Sequence, residues 1–249
     1  MQTITTNNAV KNIKLNDFTI IVGKNNSGKT RFLKTLSEHY DKGQGVSFWE
    51  QPVFYNFNSK IPNGLAMFYC NELQEETIKG NIRNAIKQFE CLDTVELDFS
   101  IAAFRAEKVG LRAIVQQQLS SSQERIICFI IKLNNFLFDK DSKIWVIDDL
   151  GDGLDWSSQL TLIKYLQNAL GNTSKKVVAS STHQFIINNV SLNDICILER
   201  AENNNTRLYS YHNSKSQYQE FKFIGLNNFD FWSRCFYKLD IKTKVIYKK

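Results

Sequence analysis

The sequence of 249 residues contains few prolines and no cysteine pattern typical of disulfides. It contains only two prolines, Pro52 and Pro62, so a proline-rich linker is excluded. Its five cysteines are scattered, odd in number and without a CxxC pair, which favours a reducing cytoplasm over a disulfide framework or a zinc site. The longest apolar run, Ile126 to Ile131, is too short to cross a bilayer, and no signal peptide is evident. We therefore expect a cytoplasmic protein without a membrane partner.

Charge and apolar content are both moderate. Hydrophobic residues make up 43% of the chain and charged residues 22%, which predicts a folded core and excludes wholesale disorder. The formal net charge of +6 has two interpretations, a solvated basic surface or a nucleic-acid partner. The compact basic stretches are Lys175-Lys176 and the tail from Lys242 to Lys249, so DNA stays a possible partner.

Apolar periodicity divides the chain into alternating strands and helices. The predicted strands are 18–22, 53–57, 65–69, 94–99, 144–147, 177–179, 195–198 and 206–211. The predicted helices are 29–40, 72–89, 122–138, 160–170 and 183–189. This alternation predicts an α/β fold with a mainly parallel sheet and a late antiparallel edge strand.

The segment from Gly23 to Thr30 matches the phosphate-binding pattern G-x-x-x-x-G-K-[ST]. It follows a predicted strand and opens a predicted helix, which argues against the alternative of a chance glycine-lysine turn. Backbone N–H groups at such a helix N-terminus cradle phosphates, and the lysine and threonine serve the phosphates and Mg²⁺. We predict ATP and Mg²⁺ as ligands, although base preference stays open, with the nucleotide-binding residues Gly23, Asn25, Asn26, Ser27, Gly28, Lys29, Thr30 and Arg31.

Two carboxylates follow a continuous apolar strand at 144–147. In a parallel α/β sheet this position places Asp148 and Asp149 beside the phosphate loop. Asp148 is then suited to the Mg²⁺ shell together with Thr30, and Asp149 to the vicinity of the attacking water. The alternative is a solvated Asp-Asp turn before Gly151.

Three further segments stand in a characteristic order around this strand. Leu119-Ser-Ser-Ser-Gln123 precedes it, Gly153-Leu154-Asp155 follows it, and His183 comes after the next strand. With the phosphate loop, this order resembles ABC-type ATPases, whose motifs run Walker A, Q-loop, LSGGQ signature, Walker B, D-loop and switch histidine. The resemblance covers most of 18–198 and implies a P-loop NTPase fold of the ABC head type, with an antiparallel β portion and a helical sub-lobe within about 70–138 of a single domain spanning 1–249.

The resemblance also implies roles for individual residues. Asp149 takes the place of the catalytic glutamate, and His183 that of the histidine that senses the γ-phosphate. The signature residues Ser120, Ser121, Ser122 and Gln123 would contact ATP bound to a second head. Asp155 would lie at the interface of that dimer. Gln74 is the candidate Q-loop glutamine, its alternative being a surface helix residue, and His183 has the alternative of a helix-capping or core histidine.

Two departures from the family pattern predict slow turnover. Ser121 and Ser122 replace the signature glycines, and their β-carbons crowd the approach to a partner's γ-phosphate. Asp149 is one methylene shorter than glutamate, which reduces its reach to water at a site where positioning governs the rate.

The N-terminal segment Val10 to Asn25 and the stretch Asp148 to Leu154 look like those of the SMC/RecF and OLD-like ATPases. An aromatic residue well upstream of the phosphate loop, as transporter subunits have, is missing. About ninety residues separate loop and signature without sustained heptads, which excludes a long coiled-coil arm. The resemblance implies a stand-alone head that forms homodimers on ATP and acts on a separate effector protein, in some relatives in anti-phage defence. A nucleotide sensor with negligible hydrolysis is the alternative, and a transporter subunit fits less well.

The aromatic stretch from Phe221 to Trp232 is not explained by these motifs. It has two interpretations, a docking segment for the effector or a segment that packs on the chain's own core.

Overall fold

A computed structural model describes residues 13–42, 54–56, 65–71, 75–105, 108–115, 118–139, 142–201 and 206–239. The strands in this part of the chain are β1 (Phe18–Val22), β2 (Phe54–Asn56), β3 (Leu65–Asn71), β4 (Leu97–Arg105), β5 (Lys108–Val115), β6 (Ile144–Asp148), β7 (Lys176–Ser180), β8 (Ile195–Arg200) and β9 (Thr206–Tyr209). The α-helices are α1 (Lys29–Lys42), α2 (Glu75–Ile86), α3 (Ser121–Phe138), α4 (Trp156–Leu170), α5 (Gln184–Asn188), α6 (Lys215–Phe221) and α7 (Asn228–Ser233). Short 3₁₀ turns lie at Glu90–Leu92, Leu192–Asp194 and Phe236–Lys238.

The main sheet has six strands in the order β2-β6-β7-β1-β8-β9. All neighbours are parallel except β8 and β9, which pair antiparallel. This confirms the predicted parallel sheet and its late edge strand, although that strand ends at Tyr209. Because β7 lies between β1 and β6, the loops that leave the carboxyl ends of these three strands share one edge of the sheet.

The parallel strands are buried on both faces because alternate residues enter two separate apolar clusters. The larger cluster contains Ile20, Ile147 and Ala179, and it is covered by α3 and α4 through Phe129 and Leu162. The smaller cluster lies on the opposite face and is covered by α1; it includes Ile21, Val146, Val178, Phe32, Leu33 and Leu36. Both faces are therefore closed, and the loops at the sheet edge are held by a rigid base.

A second, antiparallel sheet has the order β3-β5-β4. Strand β5 was not predicted, and β4 runs six residues beyond the predicted end at Phe99. A bulge between Ile101 and Ala103 interrupts the pairing of β4 with β5. The range 70–138 thus contains helices α2 and α3 together with strands of this sheet, and its separation as a sub-lobe of one domain stays a prediction.

The C-terminal segment packs on the core by means of aromatic side chains. Tyr218 and Phe231 are fully buried with ring centroids 4.6 Å apart, and the Tyr218 hydroxyl donates to the Ile195 carbonyl at 2.8 Å. Between helices α6 and α7, however, Phe223 is 90% exposed and Ile224 49% exposed. The segment therefore fits both predicted interpretations in part, since its anchors are buried and its connecting loop faces solvent.

Within the ranges that the structure describes, no helix is both long enough and apolar enough to cross a membrane.

Candidate functional site

The phosphate loop connects the buried strand β1 to helix α1, as predicted. Asn26 and Gly28 have left-handed backbone angles, with φ of 63° and 92°, which turn the loop back toward the start of the helix. A β-carbon at Gly23 would lie 2.4 Å from the Leu198 carbonyl oxygen and 2.5 Å from Ser27 Oγ, so this position admits only glycine. The sequence therefore produces a compact loop at the N-terminus of α1.

Lys29 lies folded into this loop. Its Nζ donates to the carbonyl oxygen of Gly23 at 2.8 Å and to that of Lys24 at 3.2 Å, and the residue is 8% exposed. Burial lowers the pKa of Lys29, while the carboxylates of Asp149 and Asp148 act in the opposite direction. The Lys29 amine is thus buried and hydrogen-bonded to neutral carbonyl oxygens, and it interacts electrostatically with the carboxylates of Asp148 and Asp149.

The loop also contains a polar atom that its own chain does not satisfy. Ser27 Oγ is buried and has no hydrogen-bond partner among the described residues. Buried hydroxyl groups normally have a partner, since desolvation without one is costly. Residues Asn25, Thr30 and Arg31 are exposed at the same end of α1. The loop therefore fits an anionic ligand such as the phosphate groups of a nucleotide.

Asp148 is 1% exposed at the end of β6, and its carboxylate accepts a hydrogen bond from Ser180 Oγ at 2.6 Å. The same Ser180 oxygen accepts from the backbone N–H of Asp149 at 2.8 Å. Ser180 ends the neighbouring strand β7, so one serine fixes both acidic residues from the adjacent strand. Sequence reasoning did not identify this residue.

Asp149 is half-buried with a φ of 55°, a conformation that aspartate tolerates better than most residues. Burial and the neighbouring Asp148 raise the pKa of its carboxyl group, while Lys29 and His183 act to lower it. Its backbone is therefore part of a tight turn. The burial of Asp148 does not fit the alternative of a solvated Asp-Asp turn, while Asp149 itself stays partly exposed.

His183 follows β7 and lies at the N-cap position of α5, but its side chain makes no capping hydrogen bond. Its imidazole is 30% exposed, and Nε2 lies 3.5 Å from Asp152 Oδ1. The backbone N–H of His183 donates to Ser181 Oγ, which in turn donates to the Leu150 carbonyl. The imidazole is thus neither a helix cap nor a core side chain, and it faces the loop that follows Asp149.

The serine motif begins helix α3 with a reciprocal capping box. Ser120 Oγ accepts from the Gln123 N–H, and Gln123 Oε1 accepts from the Ser120 N–H at 2.9 Å. The Gln123 side-chain amide also donates to the Cys91 carbonyl at 2.6 Å. Ser120 and Ser121 are exposed, and the Ser120 and Ser122 hydroxyls lie 3.1 Å apart. The helix start is therefore ordered by its own sequence while its hydroxyl groups face solvent.

Asp155 caps helix α4 and accepts from the Ser158 N–H at 2.9 Å and from the Ser158 hydroxyl at 2.8 Å. These hydrogen bonds, with the backbone donor first, lower the pKa of Asp155. Its predicted position at a dimer interface stays a prediction. Gln74 lies outside the described residues.

Residues that sequence reasoning missed hold the loop between Asp149 and Asp155. The Gln159 side-chain amide donates to the carbonyl oxygens of Gly151 and Leu154 at 3.2 and 3.0 Å, and Arg125 Nη1 donates to that of Asp152 at 2.6 Å. No local sequence pattern predicts the contacts of Gln159 or Arg125 with this loop.

Among the described residues, no group of three or more His, Cys, Asp or Glu side chains is arranged to hold a metal ion. Mg²⁺ at nucleotide sites is usually bound by one or two carboxylates, water and the substrate phosphates. Asp148, with its buried carboxylate, and Thr30, with its exposed hydroxyl, fit such a shared site.

No known family model matches this chain, and no curated protein matches it in sequence. Among solved structures, the SMC head domain from Thermotoga maritima is 11% identical with a TM-score of 0.47, over 79% of this chain and 91% of that one. The cbiO1 structure from Clostridium perfringens, part of the ABC transporter complex cbiONQ, is 14% identical with a TM-score of 0.47, over 86% and 84%.

The Smc head domain derived from Pyrococcus furiosus, bound to the C-terminal domain of ScpA, is 10% identical with a TM-score of 0.44. That match covers 60% of this chain and 39% of the other, so this chain spans well under half the length of that relative. At these identities and scores the likeness carries no argument about this chain, and what each relative binds stays a property of that relative.

Proposed function

We propose that this chain binds ATP with Mg²⁺ and acts as a slow ABC-type ATPase, whose heads pair on ATP and separate after hydrolysis. The observation that supports this best is that Lys29 after β1, Asp148 and Asp149 at the end of β6, and His183 after β7 follow the carboxyl ends of three neighbouring parallel strands, at one edge of the sheet. These groups lie at the ends of three different strands. Along the sequence they follow the order of the corresponding motifs in ABC-type ATPases.

The phosphate loop provides the binding step. Lys29 exchanges its carbonyl partners at Gly23 and Lys24 for phosphate oxygens, and the Ser27 hydroxyl gains the partner that it lacks. Thr30 and Asp148 would hold Mg²⁺, which supplies charge neutralisation at the phosphate oxygens. The N-terminus of α1 contributes further backbone donors.

The hydrolytic step falls to Asp149 and His183. The Asp149 carboxylate accepts a proton from the attacking water, and the His183 imidazole stabilises charge on the γ-phosphate. The left-handed turn at Asp149 and the hydrogen bond from its backbone N–H to Ser180 fix the backbone at this residue. The short side chain that it carries therefore has a limited reach. Slow turnover follows, because small errors of placement reduce rates strongly.

The serine motif supplies the pairing step. Ser120 and Ser121 are exposed at the N-terminus of an 18-residue helix, where anions are favoured. We propose that this surface contacts the γ-phosphate on a second copy, giving a head-to-tail homodimer with two shared sites.

A nucleotide sensor with negligible hydrolysis is the second candidate. It is favoured by the short Asp149 side chain, because the left-handed turn that holds its backbone limits its reach to a water molecule. Phosphate release by the purified protein separates the candidates, because a rate above that of Asp149→Ala excludes the sensor.

The signal goes to a separate effector protein in this proposal, by analogy with stand-alone heads in anti-phage defence. The exposed loop with Phe223 and Ile224 supports an apolar docking surface on that effector. The following helix α7 contacts the helix after His183, because the Asn228 side-chain amide donates to the carbonyls of Ile187 in α5 and of Val190 just after it. Replacing Phe223 and Ile224 by serine should abolish effector capture while leaving ATP binding intact. DNA as a further partner is tested by salt-dependent retention on a DNA column.

Complementation between two defective heads tests the shared site. In an Asp149→Asn background, Mg²⁺ and ATP should produce a stable dimer on size exclusion with light scattering. Lys29→Ala and a Ser120→Glu variant should each stay monomeric, the first without nucleotide and the second by charge repulsion at the motif. Their mixture should form heterodimers with one intact site. A mixture that stays monomeric while the parent dimerises argues against head-to-tail pairing, and an Asp149→Asn protein that stays monomeric under saturating ATP argues against pairing altogether.

A further inference from the structure

The loop between Asp149 and Asp155 is held from two sides by side chains of two helices. On one side, Gln159 of α4 donates to the carbonyls of Gly151 and Leu154. On the other side, Arg125 of α3 donates through Nη1 to the carbonyl of Asp152 at 2.6 Å. The second contact comes from the first turns of the helix that the serine motif begins.

The loop accepts Arg125 only because residue 153 is glycine. A β-carbon at Gly153 would lie 1.7 Å from Arg125 Nη1 and 2.8 Å from its Cζ. The backbone there has a φ of 71°, which side chains rarely adopt. The left-handed turn and the arginine contact therefore require the same residue type at this position.

The carbonyl that Arg125 holds belongs to the residue that faces the switch histidine. Asp152 Oδ1 lies 3.5 Å from His183 Nε2, and the Asp152 N–H donates to the Asp149 carbonyl at 3.1 Å. Fixing the Asp152 backbone thus fixes both the partner of the imidazole and the turn that begins at Asp149. The carbonyl that Arg125 holds and the carboxylate that faces the imidazole belong to the same residue, Asp152, so no other side chain is needed between them.

We infer that Arg125 is a positioning residue that ties the start of α3 to His183 of the same chain through the backbone of Asp152. The functional consequence rests on the proposed function: a ligand that displaces the serine motif by a fraction of an ångström moves the Arg125 guanidinium, and with it the Asp152 carboxylate and the imidazole. Each head then senses at its own histidine whether its serine motif is engaged.

Nucleotide-free NMR tests the physical link without any assumption about ATP. The chain has three histidines, so the ring Cε1–Hε1 signal of His183 is identified by its loss in His183→Gln. Arg125→Ala and Gly153→Ala should both move this signal by more than its line width. Gly153→Ala changes no charge, but it also strains the left-handed backbone at residue 153, so its shift supports the link only when Arg125→Ala shifts the same signal. Arg125→Lys, which keeps a cationic donor, should restore much of the wild-type position.

Lys132→Ala is the matched control, because it removes a positive charge from the same helix about two turns away. Its His183 signal should stay at the wild-type position. Signals that coincide with wild type in both Arg125→Ala and Gly153→Ala, in proteins with intact circular dichroism, would overturn the inference. Failure of ATP binding would overturn only the proposed function, since this measurement contains no nucleotide.

A double-mutant cycle tests the consequence for turnover. Arg125→Ala should lower kcat at least about tenfold through misplacement, with ATP affinity unchanged. In a His183→Ala background the same substitution should have a clearly smaller effect, because its route through the imidazole is gone and only the route through the Asp149 turn is left. A loss of equal size in both backgrounds would show that Arg125 does not act through His183 and would overturn that step.

Discussion

The phosphate loop and the serine motif each lie at the N-terminus of a helix, but their polar side chains differ in burial and in hydrogen bonding. At the phosphate loop, Lys29 is 8% exposed and its amine is held by two carbonyls of its own loop. At the start of α3, Ser120 and Ser121 are exposed, and their helix is capped by the motif's own side chains. One region is built inward around a buried cation, whereas the other presents neutral hydroxyls to solvent.

This difference shows that two helix N-termini of one chain can differ in whether their polar groups are used within the chain or exposed to solvent. A helix N-terminus attracts anions in either case. The phosphate loop also has nearby carboxylates, through Asp148 and Asp149, and an unsatisfied buried hydroxyl at Ser27. In the proposed function, the phosphate loop therefore holds the nucleotide within one chain, and the serine motif contacts a nucleotide held by a second copy.

The largest expected effect comes from removing the buried cation. Lys29→Ala should weaken ATP binding at least about 100-fold, since charged hydrogen bonds contribute about 1.5–3 kcal/mol each. Isothermal titration calorimetry measures this loss. Lys24→Ala is the matched control, because the Lys24 side chain is exposed and only its carbonyl serves Lys29. Unchanged affinity in Lys29→Ala would contradict the inward-built site.

The next effect comes from loosening the carboxylates beside that cation. Ser180→Ala removes the donor to Asp148 and the acceptor of the Asp149 N–H, and should lower the free energy of unfolding by about 2 kcal/mol. Ser181→Ala, next in sequence, removes the donor to the neutral Leu150 carbonyl and the acceptor of the His183 N–H, and should lose about half as much because no charged group is involved. Urea denaturation in the presence of a chelator measures both. Equal losses would indicate that the Asp148 charge does not matter at this contact.

A smaller effect is expected from making the serine motif resemble a glycine loop. Ser121→Gly combined with Ser122→Gly removes two β-carbons at the exposed helix start and should raise turnover several-fold. The same change should destabilise the helix by about 0.5–1 kcal/mol per glycine. Phosphate release and thermal unfolding are measured on the same preparation. If ATP-dependent dimers form but turnover does not rise, the short reach of Asp149 limits the rate, and Asp149→Glu should then raise it.

The smallest effect concerns the cap of α4, which lies between the two regions. Asp155→Ala should lose about 1 kcal/mol of unfolding free energy, and Asp155→Asn, which keeps a capping oxygen, a few tenths at most. Because hydrogen bonds from Ser158 lower the folded-state pKa of Asp155, the advantage of aspartate over asparagine is present above the ordinary value of 3.8 and is lost as the pH falls through the folded-state value. Denaturation of both proteins at neutral and acidic pH measures it. An advantage that grows toward acid would contradict the cap.

Local sequence patterns predicted the phosphate loop and its flanking elements better than the distant residues that hold the site in place. The strand β1, the loop and the start of α1 were all located because glycine spacing and apolar runs are short-range signals. The partner of Asp148 was not, since Ser180 lies 32 residues away on a strand that no motif marks. The same holds for Arg125, whose acceptor is a backbone atom 27 residues along the chain.

The missed elements have equally physical reasons. Strand β5 has Gly110 in its interior, and glycine is depleted in strands, which weakens the strand signal although apolar residues recur at every second position from Val109 to Val115. Helices α6 and α7 are seven and six residues long, shorter than two turns, so periodicity has too few residues to act on. Their aromatic side chains are ordered by packing against β8 and α5, which a single sequence does not reveal.

That C-terminal packing sets a limit on how far the chain can be shortened. A protein ending at Ser210 would keep every motif but would strip the Ile195 carbonyl of its Tyr218 donor and those of Ile187 and Val190 of the Asn228 amide. Two of these carbonyls lie in or directly after α5, the helix that His183 precedes, and the third begins β8, which would also lose its aromatic cover. Anyone shortening the gene should therefore retain the last two helices, because their side chains donate hydrogen bonds to the α5 region and to β8.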